Sequence, residues 1–406
     1  MIYVPVPVAL LELGKPLPID IWDSSGKLLL RKGQPILSEQ HKEMLEAHHA
    51  SMTESDARAW QRSYERMIHA LLADGAGLEV IARAGLPSEI EESDYVLAQE
   101  VLGGWLDLQE ILRGLLYQGE AAINPLQRLA GIAEKALDLL RNDPDECLFI
   151  LFQALADTSL GYCATHALLS AAVCELTAAK LSMPQAARRV LFQSALVMNI
   201  GMARAQDSLT RQSSILNDAQ RKLIREHPQK SVDILQCFGV TDEDLLDIVR
   251  WHHELDESCG LARTLESRRV LRTADCFVAK MAARKTRLAM SPLGAVQSVF
   301  LGTAADAEKL GAAMATSVGF YPPGTYVQLI NGERAVAVAR GPRANTPHVV
   351  SIVTPGGMPM SQYLYRDTSD PRHAIRSPIN AEKIKVSVSP DKALKARPMT
   401  TSAASA

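Results

Sequence analysis

Aromatic residues make up only 5% of the 406 residues. No run of about 18 apolar residues appears, which argues against a membrane-spanning helix. The opening MIYVPVPVALLELGK lacks a basic region followed by an apolar segment and a small-residue cleavage site, so no secretory signal is read there. Neither sign of charge dominates: the net charge is −3, with 22% charged residues. That balance argues against DNA or an anionic membrane as the main partner. The six cysteines, Cys147, Cys163, Cys174, Cys237, Cys259 and Cys276, form no C-x-x-C pair. Their scatter argues against a disulfide frame or a thiolate zinc site, and for a reducing compartment, the cytoplasm. No G-x-G-x-x-G precedes a helix, and Gly324, Gly332 and Gly341 read as turn glycines, so no phosphate-cradling loop is expected.

What is present points to helix. Hydrophobic residues reach 47% and are rich in Ala and Leu, which favour helices. The length suits two or three domains. Residues 18–36 alternate apolar and polar around Asp23-Ser24-Ser25-Gly26, a hairpin pattern, and Ser38 is placed to cap a short helix ending near Ala47. From about 54 to 158 the pattern is helical. Trp60, Tyr64, Met67, Ile68 and Leu71 share one face, as do Leu97, Val101, Trp105, Leu108 and Leu112. Residues 160–318 are helical again. Then TYVQLI, Asn331-Gly332 and RAVAVAR predict a tight hairpin, and HVVSIVT a third strand. The Ser/Ala/Pro/Lys-rich end reads as a disordered tail. The expected organisation is a small α+β module at 1–53, a helical connector at 54–124, a helical domain at 125–318, a β-rich module at 319–388 and a tail at 389–406.

The second helical block carries the chemistry. Its spacing turns His166 inward with Tyr162, Leu169, Ser170 and Val173. Asn217 and Gln220 form a capping-box pattern for a helix expected to end or kink at His227-Pro228. A later helix closes on Arg250-Trp251-His252-His253-Glu254, and Asp275 lies within the next. His166, His227, His252, His253 and Asp275 are thus five candidate ligands from four helices, the way metal sites are built in bundles. A single histidine on an apolar face is more often a hydrogen-bonded core residue. Spacing alone does not assemble the five.

The order of these landmarks resembles the HD-GYP domain, a helical metal-dependent phosphohydrolase family, over about 125–318. His166 falls on the family's first histidine, and Met198-Asn199-Ile200-Gly201-Met202 on its His-Asp-Ile-Gly-Lys motif. His227-Pro228 falls on its His-Pro and His252-His253-Glu254 on its His-His-Glu. Glu257-Ser258-Cys259-Gly260-Leu261-Ala262 falls on Asp-Gly-x-Gly-Tyr-Pro, and Asp275 on its late aspartate. The resemblance implies a mainly α protein: an HD-GYP-like helical bundle core with a small α+β N-terminal module and a β-rich C-terminal module. It also implies cyclic di-GMP as the ligand class, and His166, His227, His252, His253 and Asp275 as iron or manganese ligands.

The departures lie where the resemblance puts the chemistry. Met198 and Asn199 replace the signature His-Asp, so no catalytic residue is assigned. A thioether is a poor ligand for hard ions, and Asn cannot supply a bridging negative charge. Tyr162 stands where relatives with a third metal carry a glutamate, and the motif's lysine is Met202. Two-metal hydrolysis needs both ions to activate a water and neutralise the phosphate. The remaining set fits one divalent iron or manganese ion, or none. The expectation is a degenerate, non-catalytic signalling protein that binds other proteins, such as diguanylate cyclases, or cyclic di-GMP through Arg284 and Arg287. The rival is an active phosphodiesterase with an altered ligand set. No DNA and no membrane span are expected, and a homodimer is left open.

Overall fold

The elements follow from local chemistry. The computed structural model describes residues 3–23, 27–73, 77, 79–80, 84–90, 104–157, 160–254, 258–282, 289–291, 293–295, 298, 305–386 and 388–397. The chain divides into two compact units, Met1–Ala98 and Gln99–Ala406. The division falls within the stretch read as a connector.

In the first unit, β1 (Tyr3–Pro5), β2 (Ile21–Trp22), β3 (Leu28–Leu30) and β4 (Ser51–Thr53) form an antiparallel sheet in the order β1-β4-β2-β3. Helix α1 (Glu39–Ala47) starts at Ser38, whose side chain accepts from the His41 amide. Helix α2 (Glu54–Ala73) contributes Trp60 to a small core with Ile19, Ile21 and Ile36. The predicted hairpin is β2–β3; its turn residues 24–26 lie outside the described residues.

The second unit is a helical core carrying a sheet. Its helices are α3 (Trp105–Gln118), α4 (Pro125–Asn142), α5 (Pro144–Ala156), α6 (Tyr162–Lys180), α7 (Gln185–Val197), α8 (Ala203–Arg211), α9 (Asp218–Cys237), α10 (Glu243–Trp251), α11 (Leu265–Met281) and α12 (Ala305–Val318). Prolines at the first positions of α4 and α5 fit a site where the backbone N–H has no helical partner. Helix α6 is buried almost all round, from Cys163 through Cys174, with alanines that let its neighbours approach closely. An all-round apolar helix belongs at the centre of a bundle, and α6 packs on α5, α7, α11 and α12. Complete burial of each large aliphatic side chain there contributes roughly 1.5–3 kcal/mol.

The sheet runs β8-β7-β6-β5-β9, all antiparallel, from β5 (Tyr326–Leu329), β6 (Arg334–Ala339), β7 (His348–Val353), β8 (Pro359–Asp367) and β9 (Ile375–Ile379). The expected hairpin is β5–β6, with Tyr326 opposite Val336. Phe149 of α5 packs into the sheet's core, and Arg340 pairs with Asp145 of α5 at 2.5 Å. Within the sheet, Arg366 grips the Glu333 carboxylate through two 2.9 Å hydrogen bonds, and the Ser351 hydroxyl donates to it at 2.6 Å. These bonds hold the Glu333 carboxyl at about 2, despite the opposing pull of burial.

The composition from 389 onward predicts a disordered tail, yet Pro390–Lys395 form a helix, α13, capped by Ser389. Ala393 is buried against the sheet and Arg397 pairs with Asp143. Apolar contacts too few to give a periodic sequence signal still anchor the segment once the sheet is there. Residues 398–406 lie outside the described residues.

Candidate metal centre

Helix α6 delivers His166, which is 1% exposed. Both ring nitrogens are engaged: the Tyr162 hydroxyl lies 2.9 Å from Nδ1, and an Asp275 oxygen on α11 lies 2.7 Å from Nε2. A carboxylate only accepts, so Nε2 carries the proton and donates to Asp275, and Nδ1 accepts from Tyr162. Tyr162, His166 and Asp275 form one hydrogen-bonded chain.

The His227-Pro228 pair works differently from the expected helix end. Pro228 sits inside α9, which continues to Cys237. Proline has no N–H, so it leaves the carbonyl four residues back, that of Ile224, without its helical donor. His227 takes that carbonyl: its Nδ1 donates to the Ile224 oxygen at 2.6 Å. The proline thus fixes the tautomer of the histidine before it. The predicted capping box is present at the start of the helix, with both Asn217–Gln220 bonds formed.

His252 reaches the same tautomer by another route. It caps the C-terminus of α10, where the last carbonyls have no intrahelical donor. Its Nδ1 donates to the Val249 oxygen at 2.7 Å. With both Nδ1 atoms protonated, the Nε2 atoms of His227 and His252 face each other at 3.3 Å as lone pairs. Such an arrangement is repulsive unless a cation or a proton lies between them. His253 completes the group, with its ring centroid 4.0 Å from that of His252 and 5.2 Å from that of His227. One nitrogen from each of the three lies within 4.8 Å of the others, and among the described residues no other cluster of this kind occurs.

Burial lowers all three imidazoles. His227 falls to about 4 and the fully buried His252 to about 3, where the neighbouring imidazoles add to desolvation. His253, the most exposed of the three, is lowered by desolvation against the favourable charge of Asp275. Burial would push the Asp275 carboxyl up, but the His166 hydrogen bond and the surrounding imidazoles outweigh it and hold it below the usual carboxylate range. Neutral imidazoles near an ionised carboxylate are the protonation states a cation site requires.

Met198 and Asn199 occupy the turn between α7 and α8, and both are buried. Ser231 of α9 clamps this turn, donating to the Met198 carbonyl at 2.9 Å and accepting from the Gly201 amide at 3.0 Å. Gly201 is required by close approach: a Cβ there would lie 2.8 Å from both the His227 carbonyl and the Ser231 nitrogen. The backbone of the turn is therefore locked to the helix carrying His227. The Asn199 Oδ1 is buried with no hydrogen-bond partner among the described residues.

No protein-family model matches the chain. It is 26% identical over 240 residues to 3'3'-cGAMP-specific phosphodiesterase 3 of Vibrio cholerae serotype O1 (strain ATCC 39315 / El Tor Inaba N16961), an alignment covering 54% of this chain and 52% of that protein. The chain thus spans about half the length of the curated relative it matches. Among solved structures it is similar to Bd1817, a HDG"Y"P protein from Bdellovibrio bacteriovorus, with a TM-score of 0.39 and 12% identity over 77% of this chain and 98% of that one. The match to a cyclic-dinucleotide phosphodiesterase agrees with the HD-GYP resemblance of the sequence landmarks. 

The five candidate ligands separate into two groups: His227, His252 and His253 cluster as potential ligands, while His166 and Asp275 are hydrogen-bonded to each other through one carboxylate oxygen. The loop carrying Gly260 is tied down by Asp247 of α10, which accepts from the Leu261 amide at 3.0 Å. Gly260 has φ +71°, and a Cβ would strike the Asp247 carboxylate and Trp251 at 2.7 Å, which accounts for a glycine there. Arg284 and Arg287, expected to contact a nucleotide, lie outside the described residues, as does Glu257. Sequence reasoning missed Ser231, which sits four residues after His227 and so one turn along the same face of α9. That spacing was the available signal. No helix among the described residues is long and apolar enough to cross a membrane.

The residues present fit one metal ion. His227 and His252 would hold it through Nε2, with His253 as the third ligand, and a bound divalent ion would act as a Lewis acid toward an oxygen ligand. The turn offers weaker donors: Asn199 carries no charge and Met198 at most a thioether, while the His166 nitrogens face Tyr162 and Asp275.

Proposed function

We propose that the chain is a non-catalytic HD-GYP signalling protein that binds at most one divalent ion, iron or manganese being the family's metals, and acts in the cytoplasm by binding a nucleotide or a partner protein. The observation that supports this reading is the replacement of the imidazole and acid of an HD pair by the buried Met198 and Asn199, beside a His166 that is hydrogen-bonded to Asp275. Without a bridging carboxylate, two ions a few Å apart have nothing to offset their repulsion. The preserved turn, locked by Ser231 and Gly201, keeps the helical frame without the hydrolytic ligand set. A cyclic dinucleotide is the natural ligand class to test, because the curated relative is named for 3'3'-cGAMP.

The test incubates the purified chain with cyclic di-GMP and, separately, with 3'3'-cGAMP in the presence of manganese or iron(II). No linear dinucleotide should form. Saturable nucleotide binding without turnover marks a receptor; absence of binding, with specific capture of a diguanylate cyclase, marks a scaffold. Product formation that depends on His252 would overturn the reading and establish an active phosphodiesterase with an altered ligand set.

A further inference from the structure

We infer that the single ion held by His227, His252 and His253 is zinc, in a mononuclear three-histidine site with one open position, rather than the iron or manganese of dinuclear relatives. The inference rests on the one-metal reading above and concerns which ion this donor set selects.

Three observations carry it. The first is donor type. The tight cluster consists of three imidazole nitrogens with no carboxylate in it: Asp275 lies outside it with one oxygen accepting from His166, and Asn199 has replaced the acid of the turn. Imidazole suits zinc, whereas manganese and magnesium favour carboxylate, carbonyl and water oxygens. The Irving–Williams order, in which zinc binds more tightly than manganese or iron(II) at a given nitrogen site, works in the same direction.

The second is spacing. The Nε2 atoms of His227 and His252 are 3.3 Å apart. Two nitrogens bound at 2.0–2.1 Å on a tetrahedral zinc are separated by about 3.3–3.4 Å, whereas a right-angled octahedral pair at the same bond length would sit at about 2.8–3.0 Å. The third is outer-shell support. Both imidazoles donate their other N–H to a backbone carbonyl, Ile224 for one and Val249 for the other, which fixes ring orientation and raises basicity. Three protein ligands and an open fourth position are the composition of zinc sites that carry water or a substrate oxygen.

The test uses the full chain freed of metal by chelation and then desalted. It is exposed to equimolar zinc with about a hundredfold excess of manganese, or of iron(II) under anaerobic conditions, and analysed for elements after a second desalting. The expected result is one zinc ion per chain. Cobalt(II) in place of zinc should give the intense visible bands of a four-coordinate ion. His253→Ala, at the most exposed of the three positions, should lower zinc occupancy at least tenfold with the circular dichroism unchanged. His166→Ala should leave zinc stoichiometry at one.

One manganese or iron per chain in preference to zinc would overturn the inference and leave the one-metal reading standing. Two ions per chain would overturn both. No retained metal of any kind would overturn the zinc site, and so would unchanged occupancy in His253→Ala.

Discussion

Replacing Pro228 by alanine should make the metal-free protein more stable and its metal binding weaker. Pro228 lies ten residues inside a 20-residue helix, where proline is about 3 kcal/mol less favourable than alanine. Its ring is only partly buried, so truncation removes little packing. The helix already accommodates the ring, so part of that difference has been relaxed away, and a net gain of roughly 1–2 kcal/mol is expected. The new N–H at position 228 would point at the Ile224 oxygen, which now accepts from His227 Nδ1 at 2.6 Å. Sharing that carbonyl weakens the bond that holds the His227 ring and its tautomer. Loss of an outer-shell partner of this kind typically costs 10–100-fold in metal affinity. Urea unfolding followed at 222 nm in the presence of a chelator gives the first quantity, and competition against a chromophoric chelator gives the second. A metal-free variant less stable than the parent, or a metal affinity within about twofold of it, would refute the idea that this proline exists to free a carbonyl.

Other consequences are equally direct. Ser231→Ala removes the donor to the Met198 carbonyl and the acceptor for the Gly201 amide. Two buried backbone groups left without partners should lower stability by about 2–4 kcal/mol, measured by the same unfolding assay, and a loss below about 0.5 kcal/mol would show that the turn does not depend on this clamp. Arg366→Met leaves the buried Glu333 carboxylate with only the Ser351 hydroxyl and the Asn331 side chain. A loss of about 2–4 kcal/mol is expected, reduced from the fully buried case because the arginine side chain is 21% exposed; thermal melts that match the parent would contradict it.

In the metal-free protein, His227 and His252 are held down to about 4 and about 3 from the usual 6.5. Between those values and 6.5 the unfolded chain binds more protons than the folded one, so stability is full above about pH 6.5 and falls as pH drops toward 3. At about 1.4 kcal/mol per pKa unit the pair amounts to a loss on the order of 8 kcal/mol. A flat stability profile from pH 7 to 4 would show that these imidazoles are not buried as neutral bases.

Much of this centre was legible in the sequence because its parts are local. The capping box at Asn217 and Gln220 is written in four residues and formed as read. His166 turned inward as its helical spacing required. What spacing could not give was partnership. The pairing of His166 with Asp275 joins residues 109 positions apart, and nothing in either helix alone distinguishes a ligand from a hydrogen-bonded imidazole. Pro228 was legible as a helix breaker, but tertiary packing carried α9 through it. The chemical use of the lost N–H appears only once the Ile224 carbonyl and the His227 ring are seen together. Ser231 looked like any polar helix residue, since its partners belong to a turn 30 and 33 residues earlier. The short C-terminal helix carries too few apolar residues to show a period, and it is defined by the sheet it covers.

The most direct test of the account is the metal content of protein purified without chelators, determined on the same sample that is assayed for hydrolysis of cyclic di-GMP. The account predicts one ion per chain, lost in His252→Ala, and no linear product. Two ions per chain together with linear product would contradict it and make the centre a working dinuclear phosphodiesterase.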